Sequence, residues 1–450
     1  MNYDKIFEEF IREVKEEGTY ASKDEIRAAT QKMYDIIISN PDSTPEELIE
    51  LIIKDNIDLL ESVIDRYPIP GYTVGVNVDN INVKINGGKL NNYGEASKAM
   101  PDDALFDIAS MTKFYTQVVA YNMIKEGYFS LNSKVKDLDP RFINLGDLTV
   151  NDILTFTTQF RTDGRLDSKK SFDEAYDTLL KVIPVEVGKY NYNDLGMMIM
   201  KEMMEYVSAT SFDTLVEKYI THNYGLNDTH LILPADKIYR ATGSANDFLG
   251  KVNDPSALSL GGFSGHAGIF ASSDDLIKMG KAVHEGLIPA DMISNTYTPG
   301  VKFNRGIMGN TYVPCKNGIE DTYVDKLESM NNFAIQGSTR TQMNIGKDVV
   351  STALFNPASM GMVEARIMEK KINDRLISQN KAPTSLIKNL NFDGNTFDSF
   401  DVRQMAPSAQ TIEPVVTANA VLALRLRLLN KFIKEYDKNY NQEINVHRSL

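Results

Sequence analysis

Apolar residues recur at helical spacing through the first 66 positions. Ile6, Phe7, Phe10 and Val14 share one face, and SNPDSTPEELIELI sets proline and acidic residues at a helix entrance. After RYPIPG the period switches to two. Val74, Val76 and Val78 alternate with polar or small residues, as do Ile81, Val83 and Ile85, with Asp79-Asn80 between them as a turn. This pattern predicts a β-hairpin. From Ser110 to about residue 290 the spacing is mostly helical, broken by loops such as LDPRFINLGD and GGFSGHAG. Residues 331–356 return to short alternating runs suited to antiparallel strands, and helical spacing resumes in GMVEARIMEKKINDRLI and VVTANAVLALRLRLLNKFIKEY.

The expected fold class is α+β, an antiparallel sheet flanked by helices plus an all-helical lobe. The boundaries are an N-terminal helical extension at 1–45, an α/β lobe from 46–109 and 291–375, a mainly helical lobe at 110–290, and a C-terminal helical extension at 376–450.

Composition narrows the function. The 450 residues are 42% hydrophobic and 24% charged, in keeping with a globular chain of two or three lobes. A net charge of −13 argues against a nucleic-acid partner. No apolar run approaches the ~20 residues of a membrane span. The opening MNYDKIFEEFIREVKEEG is charged and amphipathic rather than signal-like, and the single cysteine, Cys315, excludes an internal disulfide. These features lead us to expect a cytoplasmic protein.

Candidate chemistry begins at SMTKFYTQVVAYNMIKEG. Met111, Phe114, Tyr115, Val118 and Val119 mark a largely buried helix, with Gly127 as its terminator. Ser110 stands at its amino end, and Lys113, three positions on, shares its face. A serine hydroxyl needs a neighbouring base to become a nucleophile. A lysine serves as that base only if burial lowers its pKa towards neutrality, which is the expectation for Lys113. The plain alternative is a serine cap followed by a solvated lysine. Ser133, Ser378 and Ser385 have the same spacing and fit that alternative. Ser110 differs because it follows a two-strand unit and opens an apolar helix.

The stretch IPGYTVGV, then NNYGEASKAMPDDALFDIASMTKFYTQVVAYNMIKEG, resembles the start of the class C β-lactamase and penicillin-binding-protein-like serine hydrolases. The resemblance runs from about residue 66 to 375. It implies Ser110 as nucleophile, with Lys113 sharing the proton work. The family's second motif, Tyr-x-Asn, is matched by GKYNYNDLGMMIM, with Tyr192 as the tyrosine and Asp194 at the Asn position; Tyr190 is the competing register. In LGGFSGHAGIFASSDDLIKM, residues Ser272, Ser273, Asp274 and Asp275 cap a helix, and His266 is a candidate for the pocket border.

The third motif, a cation followed by Thr/Ser and Gly on an edge strand, aligns with Ile335-Gln336-Gly337, so the cation is absent. The resemblance still implies an oxyanion hole from the Ser110 and Ser338 N–H groups beside Gly337, with Gln336 on the substrate side. Arg340 is the one nearby candidate to replace the missing charge.

Zinc-protease, P-loop and nucleophile-elbow motifs are absent, the spaced glycines near 262–268 follow no βαβ unit, and five scattered histidines suggest no metal cluster. No cofactor is expected. The expected function is a serine hydrolase working through an acyl-enzyme on a small ester, amide or peptide, with acyl transfer open and efficient β-lactamase activity not expected. A second reading keeps the fold as a catalytically reduced binding or assembly protein. A homo-oligomer through the terminal helices remains open.

Overall fold

The computed structural model describes residues 2–16, 22–64, 71–90, 98–189, 191–242, 250–285, 303–306, 309–312, 333–346, 348–356, 373–374, 376–382, 422 and 424–435. Three helices open the chain, α1 (Tyr3–Glu16), α2 (Lys23–Ser39) and α3 (Pro45–Ile64). The hairpin β1 (Gly71–Val78) and β2 (Ile81–Gly88) follows, with Val78 opposite Ile81 across the Asp79-Asn80 turn. Asp79 takes a left-handed φ of 56°, which an aspartate tolerates in so tight a connection.

Short β3 (Phe106–Asp107) leads to α4 (Thr112–Lys125). The mainly helical middle also holds β4 (Thr158–Arg161) and β5 (Ile183–Val187), paired as a two-stranded ribbon, and β6 (Thr229–His230) and β7 (Phe270–Ala271), which join β3. The chain then adds β8 (Phe303–Gly306), β9 (Gly309–Tyr312), β10 (Phe333–Gly337), β11 (Thr341–Gly346) and β12 (Val349–Phe355). Seven strands form one sheet in the order β2-β1-β12-β11-β10-β9-β8, and every pair is antiparallel.

Both faces of this sheet are covered, and the period of two decides which residue faces which side. Val74, Val76 and Val78 of β1, with Val349, Ala353 and Phe355 of β12, pack against α1, α2, α3 and the helical residues 424–435. Val350 and Leu354, out of phase by one, face the other way with Met343 and Ile345 of β11, into the core shared with α4 and the helical middle. The terminal helices therefore complete the sheet's outer core. Arg425 ties them together, its Nη1 2.9 Å from Asp55 and its Nε donating to the Ala29 carbonyl at 3.1 Å. Fully burying an Ile52 or Ile53 side chain contributes about 1.5–3 kcal/mol to that layer.

The expected α+β class is what the chain adopts. The middle is mainly but not wholly helical: it holds β4 to β7, strands too short to show an alternating pattern in the sequence. One expectation is corrected. The third-motif strand β10 is not at the sheet edge, because β9 and β8 lie beyond it. Among the described residues no helix is long and apolar enough to cross a membrane.

Candidate active site

The chain reaches Ser110 through a bend. Asp107 pairs with Phe270, Ile108 donates its N–H to the Ile269 carbonyl at 3.0 Å, and Ala109 takes a left-handed φ of 44°. Such a backbone disfavours any residue with a side chain, by about 1–2 kcal/mol, and alanine's single methyl keeps the crowding small. A one-turn 3₁₀ helix, Ala109–Met111, then feeds α4. Ser110 is partly exposed while its neighbours Ala109 and Met111 are buried. The predicted stripe Met111, Phe114, Tyr115, Val118 and Val119 is buried throughout, which anchors the helix behind the serine.

Lys113 is 4% exposed. Its Nζ lies 2.8 Å from Ser110 Oγ, 3.3 Å from the His266 carbonyl oxygen and 2.7 Å from an Asp194 carboxylate oxygen. It also sits 4.9 Å from the centre of the Tyr192 ring. The surroundings of Lys113 weigh against the expected neutral amine. Burial does push the Lys113 pKa down, but the Asp194 carboxylate, with the neighbouring Tyr192 oxygen, outweighs it, and the pKa ends above the ordinary lysine value. The balance favours the ammonium form of Lys113.

Asp194 shows the reciprocal effect. Burial raises its pKa, Lys113 and then His266 lower it, and it ends below the usual carboxylate value. Its freedom to reach Lys113 has a local cause. Asp194 occupies the cap position of the helix Leu195–Ser208 without capping it; Asn193 Oδ1 accepts from the Gly196 N–H at 2.9 Å instead. The Asn193 amide also donates to the Thr158 and Asn191 carbonyls, both at 2.9 Å, fixing the loop. Tyr192 stacks on Phe156 with ring centres 5.4 Å apart and is 43% exposed. Tyr190 lies outside the described residues.

His266 is buried, with one ring nitrogen 2.9 Å from Ser264 Oγ and the other 3.0 Å from Asp254 Oδ1. It thus reaches the site by its carbonyl, on Lys113, and by its ring, through Asp254. Gly265 makes this possible. Its φ is +80°, and a Cβ there would collide with the Met197 carbonyl. Asp254 also caps Pro255–Ser259 by accepting from the Ala257 N–H at 2.8 Å. Burial raises the Asp254 pKa, but His266 and that N–H bring it down to about 2.

Asp194, Asp254 and His266 place donor atoms within 4.8 Å of one another, a grouping that scattered histidines in the sequence did not suggest. In this arrangement they form a hydrogen-bonded and ion-paired network. Asp194 is ion-paired with an ammonium, and the imidazole is hydrogen-bonded on both nitrogens.

The far wall is the turn between β10 and β11. Gly337 packs so closely that a Cβ would collide with the Ile108 carbonyl and the Thr341 hydroxyl. Thr339 Oγ1 donates to the Asp107 carbonyl at 2.6 Å, and Thr341 Oγ1 to that of Ile108 at 3.3 Å. Ser338 is exposed at the tip and Gln336 is partly buried. Ile335 is buried where the family carries its cation. Arg340 is buried with a left-handed φ of 61°, one guanidinium nitrogen 3.3 Å from the Ser338 carbonyl. The structure brings together Ser110, Lys113, Tyr192, Asp194 and His266, and seats Gly337 beside the turn that leads to Ser110. Sequence reasoning missed Asp107, Asp254, Thr339 and Thr341. Only Asp254 carried a signal, the Asp-Pro of a helix start.

A family profile described as Beta-lactamase matches residues 56–306, more than half of the chain. Curated relatives described as "Putative D-alanyl-D-alanine carboxypeptidase", from Salmonella paratyphi B and Salmonella newport, are 28% identical over 213 residues, 39% of this chain and 49% of theirs. The chain thus spans about half the length of the curated relatives it matches. Among solved structures, a class C beta lactamase from Rhodobacter sphaeroides superposes with a TM-score of 0.55 at 18% identity, covering 70% of this chain and 99% of that one. EstCE1, titled a hydrolase with promiscuous acyltransferase activity, gives 0.55 at 16% identity, covering 68% and 94%. The D-alanine carboxypeptidase AmpC from Burkholderia cenocepacia gives 0.53 at 16%, with the same coverage. These structural likenesses establish a common fold, and with the family match the chain belongs to the beta-lactamase family of serine hydrolases.

Proposed function

We propose that the protein hydrolyses a small neutral ester or amide, or transfers its acyl group, through an acyl-enzyme on Ser110. The observation that carries this reading is the 2.8 Å approach of a buried lysine nitrogen to a partly exposed serine hydroxyl. Ser110 Oγ attacks the carbonyl carbon. Lys113 takes the serine proton as it passes one of its own to Asp194, leaving an ammonium beside a protonated carboxyl; that proton returns through Lys113 to the leaving group and restores the carboxylate. The Tyr192 phenol, beside the same ammonium, works with Lys113 in protonating the leaving group. The Ser110 and Ser338 N–H groups hold the oxyanion. Water, or an acceptor alcohol or amine, then takes the acyl group and regenerates the serine.

Substrate class follows from charge. Ile335 removes the cation that would greet a substrate carboxylate, and the Asp194 carboxylate stands beside Lys113. Both features disfavour β-lactams and peptides ending in a free carboxylate, relative to uncharged esters and amides. One observation favours a second reading. Lys113 held as an ammonium is a weaker proton acceptor than a neutral amine, which suits a pocket that binds without turnover.

A fluorophosphonate read by intact mass decides between them. Turnover chemistry requires one label on the folded protein, lost in Ser110→Ala; no label favours the binding reading. Parallel assays with p-nitrophenyl esters, D-amino-acid amides and nitrocefin then rank the substrates, and nitrocefin as the best of them would overturn the charge argument.

A further inference from the structure

We infer that Asp107 is a positioning residue for the nucleophile, its carboxylate acting as a clamp between the Ser110 turn and the loop that carries Asp254 and His266. The inference rests on the acyl-enzyme reading. Asp107 is 1% exposed and touches no reacting atom. One carboxylate oxygen accepts from the Ala109 N–H at 2.8 Å, and the other accepts from the Asn253 N–H at 2.6 Å. Ala109 is the residue forced to a left-handed φ just before the serine, and Asn253 directly precedes Asp254.

One buried carboxylate therefore fixes both the bend that aims Ser110 and the start of the segment that delivers the His266 carbonyl to Lys113. Its own carbonyl is fixed in turn by Thr339. A strained bend persists only where its surroundings determine it, and here the determinant is a charged acceptor on the strained residue's own N–H.

The arrangement has a pH signature. Burial lifts the Asp107 pKa to about 6 against the pull of the two N–H groups. The titratable groups that act on it are Asp254, which raises the value, and His266, which lowers it; the turn that touches its main chain contributes the Thr339 hydroxyl. Protonation turns one acceptor oxygen into a hydroxyl and weakens one arm of the clamp. Reactivity should then fall as pH drops through about 6.

Stability runs the opposite way. A carboxyl whose folded pKa lies above its unfolded value stabilises the fold fully below the unfolded pKa, and loses that contribution as pH rises through the folded one. The Asp107 contribution to Tm therefore grows over the same descent in which activity is lost.

The test follows fluorophosphonate labelling rates of the full chain from pH 5 to 8, with Tm at each pH, for wild type and Asp107→Asn. Wild type should label about ten-fold more slowly at pH 5 than at pH 7.5 without a parallel fall in Tm. Asp107→Asn should be about ten-fold slower at pH 7.5, should lose the step near pH 6, and should keep KM for a neutral p-nitrophenyl ester within about three-fold. A folded variant that labels at the wild-type rate with the step intact overturns the inference and leaves the acyl-enzyme reading standing. Absence of label on folded wild type overturns both. Should the variant not fold, the wild-type profile decides: no step near pH 6, or rate and Tm falling together, overturns the clamp.

Discussion

Lys113 Nζ and the Asp194 carboxylate lie 2.7 Å apart, and each favours the charged form of the other. Burial alone would drive Lys113 towards neutrality; the carboxylate reverses the outcome. On the proposed mechanism the lysine beside the serine is a donor at rest, and becomes a proton acceptor as its partner takes a proton.

Asp194→Asn removes the negative charge that favours the ammonium, so the Lys113 pKa falls. The basic limb of the kcat profile, measured with a p-nitrophenyl ester, should move to lower pH. Loss of the proton acceptor should reduce kcat at pH 7.5 by about 10²-fold. A basic limb that stays in place would show that Lys113 is not the group titrating there.

Tyr192→Phe keeps the ring stacked on Phe156 and over the ammonium, and removes only the phenol oxygen. We expect kcat to drop about 10²-fold with KM nearly unchanged, the pattern of an interaction made in the transition state. A change confined to KM would assign Tyr192 to binding instead.

Gly337→Ala inserts a methyl against the Ile108 carbonyl and the Thr341 hydroxyl. Since β10 must back away from the nucleophile's turn, labelling of Ser110 should slow by about ten-fold or more, with about 1–3 kcal/mol of stability lost. Urea unfolding and the labelling rate, measured on one preparation, check both. An unaltered rate would place the oxyanion hole elsewhere.

Asp254→Asn retains the oxygen that caps Pro255–Ser259 but loses the carboxylate facing His266. The folded pKa of about 2 lies below the unfolded value. Its stabilisation is therefore present above about pH 4 and is lost as pH falls towards 2. The variant should be about 1–2 kcal/mol less stable at pH 7 and lose less on acidification between pH 4 and 2. Acid titrations of Tm that superpose for the two proteins would contradict the assignment.

Ile53→Ala empties part of the outer layer, where Ile53 is fully buried far in sequence from the motifs. A loss of about 2–5 kcal/mol is expected, with one fluorophosphonate label still added well below Tm. Retained stability would mean that the amino-terminal helices are not integral to the sheet's core.

The hairpin was legible because its period of two is strong and its paired strands are neighbours in sequence, and α4 because Met111, Phe114, Tyr115, Val118 and Val119 recur at helical spacing. Ser110 and Lys113 were legible for the same reason, being one helical turn apart. The charge of Lys113 was not, because sequence shows neither how deeply it is buried nor that Asp194 reaches it. Asp107 was hidden more completely. Its side chain answers to N–H groups at Ala109 and Asn253, its carbonyl to Thr339, and two of these partners are 146 and 232 positions away. The β4–β5 ribbon escaped notice because strands of four and five residues, one with Pro184, carry too little alternation to compete with the helical spacing around them.

The bond from the Thr339 hydroxyl to the Asp107 carbonyl joins two segments that leave the ribosome far apart in time. The ribosome delivers the serine, lysine and tyrosine well before the threonine, so a nascent chain that already displays all three has no brace behind its nucleophile. A translation product that stops short of residue 339 carries Ser110, Lys113 and Tyr192 in its sequence without the hydroxyl that braces the turn before the serine.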